Sequence, residues 1–124
     1  MANQYKGEIK GSLGGQDRTF RLTFESIVNI ENTLNKPVMK IAKELASNEF
    51  SFITIVTILH EGLKGSGAHL QYKAVGDMVT NGALDKCAVL AGNILATIFS
   101  NPAEDDSPLV PAENKQPNTP SKNT

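Results

Sequence analysis

The sequence has a single cysteine, no tryptophan, and only 6% aromatic residues. One thiol cannot close an internal disulfide, so no covalent staple is available and an oxidising compartment is not indicated. The scarcity of flat rings removes the stacking platform on which single-stranded nucleic acid is held. Neither sign of charge dominates, since 12 Lys and Arg stand against 13 Asp and Glu for a formal net of -1. No basic field is therefore present to grip a phosphate backbone, and nucleic acid is set aside as a partner. Long hydrophobic runs are missing too. The longest, Cys87 to Phe99, is broken by Gly92 and Asn93 and falls short of the roughly 20 residues that cross a bilayer. It reads as a core helix, with no membrane partner expected. The chain opens with no basic, apolar and small-residue series of the secretory kind, so the cytosol is the expected compartment.

What is present suits one core. A chain of 124 residues, 40% apolar and mostly aliphatic, has the size of a single domain. The expected class is α+β: an N-terminal β-hairpin packed on four to five α-helices over residues 1–100, followed by a disordered tail over 101–124. That tail holds five of the six prolines and only Leu109 and Val110 as large aliphatics, too little apolar surface to offset the entropy of ordering. Leu109 and Val110 could still serve as a docking peptide. No internal repeat is visible.

Tyr5, Ile9 and Leu13 alternate with polar residues, and Phe20, Leu22 and Phe24 alternate with Thr19, Arg21 and Thr23. Two strands are implied, joined at Gly14-Gly15-Gln16-Asp17. A first helix starts at Thr23 or Glu25, carries Ile27, Ile30 and Leu34 inward, and stops at Asn35. Pro37 suits the first turn of a second helix with Val38, Ile41 and Leu45 as its buried stripe. A third runs from about Phe52 to Lys64 and ends at Gly65, taken as a left-handed terminal residue. A fourth covers about Tyr72 to Thr80 with Tyr72, Val75 and Val79 inward, broken by Asn81-Gly82. The last, Ala83 to Ser100, turns Leu84, Cys87, Ala91, Ile94 and Ile98 to one side, with Leu90, Leu95 and Phe99 widening that stripe.

Chemical motifs fail on spacing. His60-Glu61 opens like the zinc motif H-E-x-x-H, but the position that needs a second imidazole is Lys64, so no metal site is expected. His60 reads as a half-covered boundary residue and His69 as a loop residue without a partner. Cys87, in the inward stripe of the last helix, is a small hydrophobe rather than a nucleophile. Gly62 to Gly67 has the wrong glycine spacing for a phosphate loop and no strand feeding it. Glu25, Glu31, Glu44, Asp77 and Asp85 fall at helix starts or exposed faces, and no acid/base pair can be nominated. Catalysis, cofactors and metals are not expected.

Helix three exceeds ordinary amphipathicity. At about 100° per residue, Phe52, Val56, Leu59 and Leu63 form a stripe flanked by Ile53 on one side and Ile55 and Ile58 on the other, an apolar arc of roughly 220°. Thr54, Thr57, Glu61 and Lys64 are left for water. Either the helix is central and buried on both flanks, or one flank is exposed and binds a partner.

The order of these pieces resembles a family. It is carried by Lys6-Gly7-Glu8, by Arg18 through Phe24, by Ile27, Ile30-Glu31 and Leu34 leading to Val38, Ile41 and Leu45, and by Phe52 through Leu59 with Gly62-Leu63-Lys64-Gly65. The stretch from Ala2 to Phe99 resembles a small family of phage and gene transfer agent proteins, labelled both tail tube protein and tail assembly chaperone. The resemblance implies a non-enzymatic helper of tail morphogenesis in the bacterial cytoplasm. Such a protein binds the tape measure protein, the tail tube protein, or both, and could self-associate. On that reading Phe52, Ile55, Ile58 and Leu59 form part of the contact. A tube component retained in the particle, which would need more strand than one hairpin supplies, and an unrelated bacterial adaptor module are the alternatives.

Overall fold

Gly14 and Gly15 have φ of 66° and 80°, the pair of positive values that a tight two-residue hairpin turn of type I′ demands. The computed structural model describes residues 7–99. In it this turn joins β1 (Glu8–Leu13) to β2 (Gln16–Arg21), antiparallel, with Ile9 opposite Phe20 and Leu13 opposite Gln16. Gln16 and Asp17 thus belong to the strand rather than the turn. Because side chains alternate across a strand, Ile9, Leu13 and Phe20 share the inner face, and Leu13 and Phe20 are buried. Gly11 lies between them, where a Cβ would press into the Leu90 side chain of the last helix.

The second strand ends earlier than its alternation implies. Thr23 caps helix α1 (Phe24–Leu34), its hydroxyl accepting from the Ser26 N–H at 3.1 Å while Ser26 Oγ accepts from the Thr23 N–H at 3.0 Å. This reciprocal cap fixes the chain direction, so Phe24 becomes the first helical residue and stands 82% exposed instead of facing inward. Asn35, at φ 54°, closes α1 in the left-handed region, as expected. Helix α2 (Val38–Ala46) follows Pro37, which occupies the cap and has no capping side chain. Its open end is served from the preceding helix, where a Glu31 carboxylate oxygen accepts from the Val38 N–H at 2.7 Å.

Helix α3 (Phe52–Gly65) is the centre, packed against β2, α1, α4 (Tyr72–Asn81) and α5 (Leu84–Ala96). Ser51 caps it through the Thr54 N–H at 3.2 Å. Surrounded on so many sides, it buries Ile55, Val56, Ile58, Leu59 and Leu63, each apolar side chain contributing about 1.5–3 kcal/mol. Thr54, Thr57 and Glu61, expected to face water, are buried as well. Burial is tolerable because each polar group has a partner. Thr54 Oγ1 lies 3.0 Å from Ser51 Oγ, Thr57 Oγ1 lies 3.2 Å from Tyr72 Oη, and Glu61 accepts from Asn29 and Lys64 at 3.3 Å each. Of the four residues assigned to solvent, only Lys64 remains there.

The end of α3 corrects another expectation. Gly65 is not left-handed; that conformation falls to Gly67, at φ 99°. Gly65 is instead a close-approach site, where a Cβ would collide with the carbonyl oxygen of Arg21 at the end of β2. Helix α5 is shorter than its apolar stripe suggests, because Thr97 ends it, and both Leu84 and Phe99 stand exposed. The expected disordered tail over 101–124, and Tyr5, expected in the first strand, lie outside the described residues.

Candidate protein-binding surface

The four residues singled out on α3 divide sharply. Ile55, Ile58 and Leu59 are completely buried, whereas Phe52 is 43% exposed. The exposed-flank account of α3 is therefore corrected for three of its four members, which cannot touch another chain without unfolding this one. The broad apolar arc has the simpler explanation that the helix is packed on both flanks. Phe52 is the first residue of the helix.

Phe52 has company that its own helix stripe does not reveal. Ile53, 52% exposed, and Tyr72, at the start of α4, open beside it, and together with Val56 and Gly76 they line a shallow apolar groove of about 400 Å³ between α3 and α4. Tyr72 is held in place there. Its hydroxyl meets Thr57, and its ring stands edge-on to His60 with centroids 5.4 Å apart. His60 in turn donates from Nε2 to the Leu70 carbonyl at 2.9 Å, which makes it the half-covered boundary residue expected. Polar groups border the groove on the α4 side, where Lys73 and Asp77 form an exposed i,i+4 pair at 3.2 Å. Such a pair contributes little to stability but keeps the rim wet. Tyr72 carries an inward-stripe expectation that the structure revises, and Val75 and Val79 fulfil it.

Two further apolar surfaces were not legible beforehand. Between α2 and α5 runs a groove of about 520 Å³ walled by Phe50, Phe99 and Val89 over small residues such as Ala46 and Gly92. On the outer side of α1, Phe24 and Val28 stand one helical turn apart and exposed. Neither shows in a single helix's periodicity, since the groove needs two helices that are adjacent only after folding, and Phe24 reads as strand.

Among the described residues no three of His, Cys, Asp and Glu gather closely enough to hold a metal ion. Burial, with a smaller contribution from nearby Asp85, raises the pKa of the Cys87 thiol above its ordinary value, opposite to what a nucleophile needs. No helix among the described residues is long and apolar enough to cross a membrane.

The comparisons bear on the same stretch. A family model described as "Phage tail tube protein, GTA-gp10" matches residues 6–101. No curated protein and no solved structure matches the chain.

Proposed function

Starting from the fact that the chain belongs to the phage tail tube protein, GTA-gp10 family, we propose that it acts in tail morphogenesis as a non-enzymatic assembly chaperone. It works in the cytoplasm of the bacterial host, holding the tape measure protein, the tail tube protein, or both, and leaving before the particle is complete. The observation that carries this reading is the apolar groove around Phe52, Ile53 and Tyr72. A chaperone must bind and then be displaced by a polymerising partner. Modest apolar area with a wet rim, and no buried interfacial ion pair, favours that exchange over permanent association.

The family description itself favours a second reading, a structural tube subunit retained in the particle. Against it, the sheet among the described residues has two strands, little material for a tube wall. An unrelated adaptor module is set aside by the family.

The experiment is capture with the tagged full chain from cells producing tails. The wild type brings down tape measure or tube protein. Ile53→Asp, at a half-exposed position, leaves the helical circular dichroism and melting curve unchanged and cuts the captured partner about tenfold, as losing roughly 1.4 kcal/mol of binding would. Undiminished capture by a folded Ile53→Asp chain would remove the groove from the account.

A further inference from the structure

The larger groove, between α2 and α5, begins where the described chain ends. Phe99, the last described residue, is one of its walls, and Phe50 is another. The sequence then continues for 25 residues, among them Pro108-Leu109-Val110-Pro111. We infer that this Pro-x-x-Pro segment of the chain's own tail docks in the α2–α5 groove, so that the tail is an intramolecular ligand of the domain it follows.

Three features support the assignment. The first is chemistry: Pro-x-x-Pro segments adopt the extended polyproline II form, which costs little entropy to order and lies well in grooves walled by aromatic rings. Leu109 and Val110 are the only large aliphatics in the tail, and the groove offers Phe50, Phe99 and Val89 with room over Gly92 and Ala46. Val89 is 64% exposed and gains most from being covered. The second is reach. From Phe99 to Pro108 the chain advances nine residues, about 30 Å at roughly 3.3 Å each. The 13 residues of α5 extend about 20 Å at roughly 1.5 Å each, so the connection can run back along the groove to any point in it. The third is charge. The connecting stretch contains Glu104, Asp105 and Asp106, while Lys43 and Lys86, on the two helices that form the groove, are exposed. The ion pairs among the described residues use Lys36, Lys40, Lys64 and Lys73, so Lys43 and Lys86, which lie outside the lining, whose one charged residue is Asp85, are the groups that would meet the acidic stretch at the margin of the groove. The α2–α5 groove is separate from the one around Phe52, so the inference does not depend on which partner the chaperone holds.

The chain contains no tryptophan, which gives the test a silent background. Leu109→Trp in the full chain places one indole at the centre of the motif. Docking predicts a blue-shifted emission and quenching by acrylamide several-fold slower than for a synthetic peptide of residues 101–124 with the same substitution. Gly92→Glu added to the Leu109→Trp chain should return quenching to the peptide's rate. A Cβ at Gly92 meets no atom within 4 Å, so the substitution fills the groove with charge without disturbing the fold, which a melting curve checks. Leu109→Ser, monitored by amide shifts of Val89 and Ala46 in the otherwise native chain, gives the same reading without an aromatic label. Quenching equal to that of the free peptide, or protection that survives Gly92→Glu, overturns the assignment. Protection that disappears on dilution overturns it also, because the segment would then sit in the groove of a second copy.

Discussion

Two helical glycines, Gly92 and Gly65, differ in what surrounds them, and the difference has measurable consequences. Gly92 faces open space, so Gly92→Ala should stabilise the chain by about 0.5–1 kcal/mol through reduced backbone entropy in the unfolded state. Gly65→Ala drives a methyl group at the Arg21 carbonyl and should destabilise instead, despite the same gain in helix propensity. Urea denaturation of the two variants should move the midpoint in opposite directions. Ile58, fully buried in α3, should cost about 2–5 kcal/mol on replacement by Ala; a change near zero would place it on the surface after all. Cys87 offers a check by pH. Its thiol is buried and its pKa raised in the fold, so the protonated form is the one the native state favours. The associated stability is present below the unfolded thiol's pKa and is lost as pH rises through the folded value. A thiol reagent should accordingly react with the native chain far more slowly than with the urea-unfolded chain at the same pH.

Elements show which part of this architecture was readable in advance. The hairpin was, because Gly14-Gly15 and the alternation around Ile9, Leu13 and Phe20 act over a few residues. The five helices were too, within a residue or two at most ends, because caps such as Thr23 and Asn35 are local signals. Phe24 reads as strand because its alternation with Phe20 and Leu22 continues past the point where the Thr23–Ser26 cap takes over. Polarity alone points Thr54 and Thr57 to water, whereas their burial depends on Ser51 and on Tyr72, the latter 15 residues beyond Thr57. The arc of α3 correctly marks a helix with apolar residues all round, but periodicity cannot distinguish a second packed neighbour from a partner. That is why Ile55, Ile58 and Leu59 appeared as candidate contacts alongside Phe52, the one that is exposed. The bond from the Val38 N–H to Glu31 is likewise non-local at the level of pattern. Glu31→Ala should weaken the junction of α1 and α2 by about 1 kcal/mol, in line with loss of a helix cap, seen as earlier amide exchange in α2 than in α3.

The described residues, 7–99, form one aliphatic core around α3 and leave apolar surface at its margins. The two proposals use separate places on the fold, the groove at Phe52, Ile53 and Tyr72 for a tail protein and the groove between α2 and α5 for the chain's own Pro108–Pro111 segment. Membership of the tail family ties the protein to phage tails; on the proposed reading it assists assembly and departs. The most direct test is mass-spectrometric counting of this chain in purified, finished particles, alongside the tape measure and tail tube proteins and the producing-cell lysate. Assembly followed by release predicts abundant chain in the lysate and essentially none in the particles. A stoichiometry in the particle matching that of the tube would contradict the chaperone role and establish the chain as a structural subunit.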